Sequence, residues 1–406
     1  MIAEVKRQAK TIDLIPSENI VSPAVLEALG SPLTNKYSEG YPGKRYYAGN
    51  AVIDEIELIA QERARRVFRL GKYWHVNVQP YSGSPANMAV YYALLEPGEK
   101  IMGLSLSFGG HLTHGWKVNF SGRLYTAVPY ILGRDGFIDY EAVWKLARKE
   151  KPKIIVTGAT AYPRFFDFKN FATIAHKVGA YLLADIAHIA GLIAAGVHPS
   201  PFPYADVVTT TTHKTLRGPR GAIIFANTKS KIAKRYGVDM AQAIDRAVFP
   251  ALQGGPHDHQ TAAIAVCLGE AMRPAFKKYA RQVVGNAKAF VHELKQLGFQ
   301  LVSGGTDNHM MLIDLTNLGI SGREAQDRLE RVGIIVNRNM IPYDTRSPFD
   351  PSGIRIGTPA VTSRGMGERE MKIIAALIAH TLSGGVPQTR IREEVRALAK
   401  KFPIPL

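Results

Sequence analysis

The chain has 406 residues, 46% of them hydrophobic, with 37 glycines and 24 prolines, which is long enough for two domains and typical of a globular protein. Its single cysteine, Cys267, excludes an internal disulfide framework and a cysteine-rich zinc module. The formal net charge is +17, but the basic residues are scattered and no arginine-rich tract accompanies them. We therefore expect small anionic ligands rather than a nucleic-acid partner.

The N-terminal residues contain no apolar stretch of signal-peptide length. The longest apolar run, residues 180–197, is interrupted by Asp185, His188 and Gly191, which is not typical of a membrane span. We expect a cytoplasmic location and no membrane partner.

The first elements surround an irregular, tyrosine-rich segment. We predict a short basic helix over 1–15 and a helix capped by Ser22 with Pro23 at its first position. Residues 34–49 hold three glycines, a proline and four tyrosines, so they predict a loop that packs against a ligand or a partner chain. Glu39 is the one carboxylate in that loop, and either a solvated acid or an acid–base role fits it.

An amphipathic helix over 54–70 and a strand over 74–79 come next. The strand leads into Ser82-Gly83-Ser84, with Pro85 at the start of the following helix. Free backbone N–H groups and two hydroxyls at a helix N-terminus indicate a phosphate site, although an ordinary capped helix has the same pattern.

Residues 99–104 predict a strand, and 107–115 a loop with the start of a helix. His111 and His114 have the spacing of helix-borne metal ligands, but no third ligand or neighbouring glutamate completes a zinc pattern, so we predict no metal. An imidazole lying against a flat cofactor ring is the interpretation we favour.

Two consecutive strands end in chemically reactive side chains. Residues 153–158 and the apolar run 180–185 predict buried strands flanking a helix over 170–178, and the second strand ends at Asp185. The threonine-rich strand that begins at Val207 leads to Lys214, where neighbouring cations favour the free amine needed for a Schiff base. Ligands bind at the carboxyl ends of such strands, so Lys214, Asp185 and the Ser82–Ser84 phosphate site together resemble a pyridoxal-phosphate site.

After Gly221 the chain predicts connecting elements and then, in its last third, a smaller domain of mixed strands and helices. We predict a strand over 222–226, a polar loop over 249–259 and a long helical stretch over 260–297. Strands over 308–315 and 334–336 enclose a helix over 323–332.

Long segments of the chain closely resemble serine hydroxymethyltransferases, which are pyridoxal-phosphate enzymes of fold type I. The segments are 33–47, 77–84, 109–115, 209–221, 252–256, 304–309 and 355–360. The resemblance implies an α/β fold: a large domain with a mostly parallel seven-stranded sheet and a smaller C-terminal α+β domain. It divides the chain into an N-terminal arm with an inter-subunit tyrosine loop (1–48), a pyridoxal-phosphate domain (49–270) and a small domain (271–406).

The same resemblance assigns roles to residues of this chain. The implied catalytic residues are Lys214, Glu39, Asp185, His111 and Tyr47. The implied cofactor-binding residues are Lys214, Ser82, Gly83, Ser84, His111, Thr160, Asp185, His188, Thr211, His213 and, from the neighbouring subunit, Tyr37 and Gly255. The implied substrate-binding residues are Ser17, Glu39, Tyr46, Tyr47 and Arg355, with Leu106, Gly110, Leu112, Asn339, Ser347, Pro348 and Phe349 on the pterin side.

The implied reaction is the reversible transfer of the serine hydroxymethyl group to a reduced pterin, tetrahydrofolate or a modified tetrahydropterin, giving glycine. Pyridoxal 5'-phosphate would be the cofactor, serine, glycine and the reduced pterin the small-molecule partners, and a homodimer with shared active sites the functional unit. The alternative is a pterin-independent aldolase, similar to threonine aldolase, acting on 3-hydroxy amino acids.

Overall fold

A computed structural model describes residues 1–405 of the chain. The helices are α1 (Ile2–Lys10), α2 (Pro23–Leu29), α3 (Ala51–Val67), α4 (Gly83–Leu94), α5 (Phe120–Leu124), α6 (Tyr140–Glu150), α7 (Phe168–Val178), α8 (Ala190–Ala195), α9 (Lys231–Arg235), α10 (Met240–Arg246), α11 (Asp258–Ala271), α12 (Pro274–Gln296), α13 (Gly322–Val332), α14 (Pro359–Ser363), α15 (Glu368–Ser383) and α16 (Gln388–Lys401). The strands are β1 (Ile12–Asp13), β2 (Gly40–Tyr41), β3 (Lys44–Arg45), β4 (Trp74–Asn77), β5 (Lys100–Leu104), β6 (Thr126–Tyr130), β7 (Ile154–Thr157), β8 (Tyr181–Asp185), β9 (Val207–Thr211), β10 (Ala222–Asn227), β11 (Gln300–Leu301), β12 (Met310–Asp314), β13 (Ile334–Ile335), β14 (Asn337–Asn339) and β15 (Gly353–Gly357).

The large sheet has seven strands in the order β4-β10-β9-β8-β7-β5-β6, and only β10 runs against its neighbours. Its central strands are apolar and β-branched because both faces of the sheet are covered. In β8, Leu182 and Ala184 pack into the core on one face, while Tyr181 and Leu183 pack into the core on the other. The predicted α/β fold with a mostly parallel seven-stranded sheet is confirmed.

The second sheet is antiparallel, with the order β11-β12-β15-β14, and it belongs to the smaller C-terminal domain. The N-terminal segment joins this domain, because β1 pairs in parallel with β13. Ile12 and Leu14 are fully buried in the same core as Phe290 and Ile356.

The long helix α12 contributes to the cores of both domains. Phe276 and Val283, in its first half, pack into the core of the large sheet, and Phe290 and Leu294, in its second half, pack into the core of the small domain. A 23-residue helix is about 35 Å long, which is enough to reach both cores.

Four predictions were wrong in detail. The helix predicted over 1–15 ends at Lys10, since Ile12 and Asp13 pair with the small domain as a strand. No α-helix begins within the described residues 107–115, where a helix start is predicted. A short 3-10 turn, Leu106–Phe108, occupies the first part of this loop. The stretch over 260–297 is two helices, separated before Pro274.

The fourth error concerns the polar loop predicted over 249–259. Helical turns extend to Leu252, and α11 already begins at Asp258. Asp258 is buried, and both of its carboxylate oxygens lie within hydrogen-bond distance of the Ser38 hydroxyl, at 2.7 and 2.9 Å.

Of the helices within residues 1–405, none combines the length and apolar composition that crossing a bilayer requires.

Candidate active site

A cavity of about 350 Å³ opens at the carboxyl ends of β8 and β9. Its walls collect residues from distant parts of the sequence. They are Ser17, Glu18, Ser82, Gly83, Ser84, His111, His114, Ala159, Thr160, Asp185, Ala187, His188, Thr211, His213, Lys214 and Arg220. Eleven of the predicted site residues therefore line one cavity: Ser17, Ser82, Gly83, Ser84, His111, Thr160, Asp185, His188, Thr211, His213 and Lys214.

Lys214 follows β9 in a loop that is closed by its own hydrogen bonds. The Thr212 carbonyl accepts from the Gly218 N–H at 2.7 Å, and the Thr212 hydroxyl donates to the Pro219 carbonyl at 2.6 Å. Burial lowers the pKa of the Lys214 ammonium to about 8, and Arg355 and Arg220 act in the same direction while Asp185 opposes them. About a tenth of Lys214 is therefore the free, nucleophilic amine at pH 7, far more than for an ordinary lysine.

Asp185, the last residue of β8, is held by three hydrogen-bond partners. Its Oδ2 atom accepts from the Asn87 amide at 2.8 Å and lies 3.2 Å from His114 Nε2, and its Oδ1 accepts from the Ala187 N–H at 3.1 Å. Burial opposes ionisation, but the His114 and Asn87 hydrogen bonds together hold the pKa of Asp185 well below its usual range. Asp185 is thus a permanent anion on the cavity wall.

The tautomer of His111 follows from its neighbours. The Thr113 N–H donates to His111 Nδ1 at 3.2 Å, and the Thr113 hydroxyl lies 2.7 Å from the same atom. Burial lowers the pKa of His111 to about 4. The ring is therefore neutral with its proton on Nε2, which suits stacking better than a charged imidazolium would.

Two buried imidazole nitrogens on the cavity residues lack hydrogen-bond partners among residues 1–405: His188 Nε2 and His213 Nδ1. Burial lowers the pKa of His213 to about 3 and that of His188 well below its usual range. Buried polar atoms without partners are rare in folded proteins, so these nitrogens indicate a polar ligand in the cavity.

The other end of the cavity is shaped for an anion. Ser82 precedes the twelve-residue helix α4, and its hydroxyl makes no capping hydrogen bond. A Cβ atom on Gly83 would lie 2.7 Å from Thr211 Cγ2, so only glycine fits there. Free N–H groups, the Ser82 and Ser84 side chains and the nearby Arg220 suit a phosphate. The donor set of the whole cavity therefore fits pyridoxal phosphate, with Lys214 for the aldehyde and Asp185 for the ring nitrogen.

Arg355 comes from β15 of the small domain and is buried beside this cavity. Its guanidinium donates to the Thr160 carbonyl at 2.5 Å, to Asn337 Oδ1 at 3.1 Å and to the Ser17 hydroxyl at 3.5 Å. Burial lowers its pKa to about 10, and the group remains charged at neutral pH. It is suited to bind a substrate carboxylate.

The predicted tyrosine-loop residues form a separate cluster, and none of the described ones lines the cavity. Tyr37 packs on the backbone at Gly255, and its hydroxyl donates to Glu39 Oε1 at 3.2 Å. The Tyr37 and Tyr47 rings meet edge to face, and Tyr46, 82% exposed, meets Tyr47 in the same way. These residues project from a hairpin, β2–β3, onto the surface of the chain.

The predicted pterin-side residues lie on two loops. One carries Leu106, Gly110 and Leu112 and also includes His111. The other carries Ser347, Pro348 and Phe349 in the small domain, and Phe349 is 78% exposed. Asn339 ends β14, at the start of that second loop, and its amide donates to the Met340 carbonyl.

His111, His114 and Asp185 have ligand atoms within 4.8 Å of one another, which is close enough for a metal ion. However, His111 Nδ1 already accepts from Thr113, and Asp185 Oδ2 accepts from an Asn87 N–H, which directs positive charge at the same oxygen. The arrangement therefore fits a protonated ring nitrogen better than a cation.

Sequence reasoning missed the residues behind the cavity wall. Asn87, Thr113 and Thr209 form a buried hydrogen-bond chain beneath Asp185 and His111. Asn87 lies on the apolar face of α4, and a buried asparagine in such a position is the signal that could have identified it. His309 contacts His188 Nδ1 through its Nε2 at 3.3 Å from another domain, a contact that no sequence pattern predicts.

Residues 1–378 match the family profile "Serine hydroxymethyltransferase". The chain is 55% identical to the serine hydroxymethyltransferase of Acidothermus cellulolyticus over 413 aligned positions, covering 99% of this chain and 94% of that protein. It is 56% identical to the serine hydroxymethyltransferase of Desulfotalea psychrophila over 402 positions, covering 98% and 92%. With these matches running through every segment that builds the cavity, the chain belongs to the serine hydroxymethyltransferase family.

Proposed function

We propose that the Lys214 cavity, completed by a second copy of the chain, transfers the hydroxymethyl group of serine reversibly to a reduced pterin and leaves glycine. The observation that carries this proposal is that Lys214 and Asp185 face one cavity whose hydroxyls and N–H groups suit a phosphate. The family match along residues 1–378 supports the reaction and its pyridoxal-phosphate cofactor.

Pyridoxal phosphate, when bound, withdraws electrons from the bonds of the substrate's α-carbon. Asp185 keeps the proton on the ring nitrogen, because a buried anion fixed by His114 and Asn87 favours a positive charge opposite it. Lys214 would supply the amine for the cofactor's aldehyde, and its lowered pKa favours the unprotonated amine that this role requires.

Arg355 orients the amino acid by binding its carboxylate, and Ser17 lies beside the same guanidinium. Fixing the carboxylate sets the rotation about the Cα bonds, so that the bond to the hydroxymethyl carbon is the one that is activated. Glu39 moves the proton at the hydroxymethyl oxygen. Tyr47 belongs to the same cluster, because it packs against Tyr37, whose hydroxyl donates to Glu39.

The homodimer is part of the proposal because the tyrosine-loop cluster lies outside the Lys214 cavity of its own chain. Exposed tyrosines on a rigid hairpin are typical of an interface. In a twofold dimer the Glu39 cluster of one subunit completes the cavity of the other, and Tyr37 and Gly255 reach the phosphate from the partner's side.

The visible spectrum of the purified protein with pyridoxal phosphate tests the cofactor assignment. We expect an absorbance band that Lys214→Arg abolishes, since arginine keeps the charge but has no reactive amine. Loss of serine is then measured with tetrahydrofolate, with a modified tetrahydropterin and with neither. Activity that ignores both pterins would contradict the proposal and favour the pterin-independent aldolase, which the family match does not support.

Mixing two inactive variants tests the shared site. Glu39→Gln and Lys214→Arg each inactivate a homodimer, whereas a hybrid carries one site with both native residues. Random re-association of equal amounts should recover about a quarter of the native activity. No recovery in hybrids isolated with two different tags would show that Glu39 acts within its own subunit.

The cytoplasmic location is proposed on the same footing. A lone buried cysteine, Cys267, is typical of proteins from a reducing compartment. Fractionation of cells followed by detection of the chain tests this assignment.

A further inference from the structure

Tyr343 connects the small domain to the large one through three different contacts. Its hydroxyl donates to the Leu132 carbonyl at 2.7 Å, and its ring lies 4.2 Å from the guanidinium carbon of Arg134. The Phe108 ring meets it edge to face, with centroids 5.0 Å apart and an interplanar angle of 87°. One side chain thus joins two separate segments of the large domain.

The backbone of Tyr343 has a φ of 60°, in the left-handed region. A bulky residue is unfavourable there and persists only where its surroundings determine its position. The contacts with Leu132, Arg134 and Phe108 supply that constraint, so the aromatic side chain is retained for what it contacts rather than for the turn itself.

The loop that carries Tyr343 is closed on itself by the next residue. Asp344 accepts from the Ser352 N–H at 2.9 Å, from the Ser352 hydroxyl at 2.7 Å and from the Arg346 N–H at 2.9 Å. These hydrogen bonds tie the start of the 341–352 loop to its end, and the loop includes Ser347–Phe349. What fixes Tyr343 also fixes that segment.

Phe108, the large-domain residue whose ring meets Tyr343, belongs to the loop that leads to His111. The Gly109 carbonyl of this loop accepts from the Thr160 and Ala161 N–H groups at 2.7 and 3.0 Å. A Cβ on Gly110 would lie 1.9 Å from the Leu104 carbonyl oxygen, so the loop is tightly seated. Tyr343 thus packs a self-closed small-domain loop against a firmly held wall of the large domain.

We infer that Tyr343 is a positioning residue that sets the separation of the two loops between which the pterin binds, and thereby the affinity for the pterin. The inference rests on the proposed function, because it takes Leu106–Leu112 and Ser347–Phe349 as the two sides of the pterin site. None of the Tyr343 contacts involves a side chain that we assign to the cofactor phosphate or to the substrate carboxylate. The cofactor and serine should therefore bind as before when Tyr343 is changed.

Tyr343→Phe removes only the hydroxyl, and Tyr343→Asn removes the ring while tolerating the left-handed backbone. We expect the KM for tetrahydrofolate to rise roughly 2- to 10-fold in the first variant, the range of one lost hydrogen bond, and further in the second. The KM for serine, the affinity for pyridoxal phosphate and the pterin-independent cleavage of a 3-hydroxy amino acid should stay within twofold of native. Tyr204→Phe, on the surface, is the matched control.

Backbone hydrogen exchange of the same proteins without substrates gives a readout that does not depend on turnover. We expect Tyr343→Phe to accelerate exchange in 340–352 and, at the same time, in at least one of the two large-domain segments 105–110 and 132–138. Tyr204→Phe should accelerate exchange in none of these three segments. An unchanged KM for tetrahydrofolate, equal rises in both KM values, or unchanged exchange would each overturn the inference. If the native protein shows no pterin-dependent serine loss, the proposed function fails instead, and hydrogen exchange alone then decides whether Tyr343 joins the two domains.

Discussion

Asp185 and Lys214 reach the same cavity because Asp185 pairs with Thr209 across two parallel strands, and Lys214 follows in the loop after the second strand. Lys214 also depends chemically on Asp185. The buried carboxylate opposes the effect of burial on Lys214, and Asn87 and His114 keep that carboxylate ionised. The acid–base balance of the site is therefore set by a small number of buried hydrogen bonds.

The pH dependence of cofactor loading follows from Lys214. Only the free amine adds to an aldehyde, and burial lowers the pKa of Lys214 to about 8. The rate at which pyridoxal phosphate adds to the apoprotein should rise with pH and level off above about 8 rather than above 10. Stopped-flow absorbance from pH 6 to 10 measures this rate, and a profile that still rises at pH 10 would show that Lys214 has an ordinary pKa.

Replacing Asn87 by alanine should weaken cofactor binding. Asp185 then loses a charge-assisted hydrogen bond, which costs about 1.5–3 kcal/mol and corresponds to roughly a 10- to 100-fold higher Kd for pyridoxal phosphate. Equilibrium dialysis measures the Kd, and Asn170→Ala on the outer helix α7 serves as the control. An unchanged Kd would mean that His114 alone suffices to hold Asp185.

Arg45 should be essential for the stability of the hairpin that carries the Glu39 cluster. It is almost fully buried and pairs with Glu57 at 2.6 Å and Asp54 at 2.8 Å, and it also donates to the Ser38 and Gly40 carbonyls. Arg45→Met leaves Glu57 buried without a charged partner and should lower the free energy of unfolding by about 3–5 kcal/mol.

Adding Glu57→Leu to Arg45→Met should restore part of that stability, because the unpaired buried carboxylate is removed. Urea denaturation of the native protein, both single variants and the double variant completes the cycle. Strictly additive losses in the double variant would argue against a coupled pair.

The acid stability of the apoprotein should depend on His309. Burial lowers the pKa of this imidazole to about 3, whereas an unfolded histidine has a pKa near 6.5. Between those values the unfolded chain binds one more proton, so the free energy of unfolding falls as the pH falls below about 6.5, by up to about 1.4 kcal/mol per pH unit for this group.

His309→Gln should therefore reduce the slope of unfolding free energy against pH between 6.5 and 4.5, whatever its effect on stability at neutral pH. Urea midpoints at several pH values measure the slope, with His292→Gln on the exposed face of α12 as the control. Equal slopes in the native protein and His309→Gln would mean that His309 takes up a proton in the folded state.

The central strands and their reactive ends could be predicted because their signals are local. Runs such as 180–185 and 207–211 are continuous and apolar or β-branched, and that composition is compatible with few structures other than a buried strand. The polar groups at their ends, Asp185 and Lys214, then fall at one edge of the sheet. The resemblance added the roles of the remaining residues.

The features that could not be predicted depend on contacts between distant segments. The loop after β5 was expected to start a helix, but its geometry is dictated by Gly110, which lies against the Leu104 backbone. The end of α1 is set by a strand pairing between Ile12 and Ile334, more than 300 residues away. The contact of Arg355 with Ser17 likewise joins residues at opposite ends of the chain.

Helix α12 is anchored in both domains, because its apolar residues are divided between the two cores. A rotation of one domain therefore has to carry the other with it, because Val283 and Phe290 are buried in different cores only two turns apart on one helix. Through this helix the domain that carries Arg355 is coupled mechanically to the domain that carries Lys214.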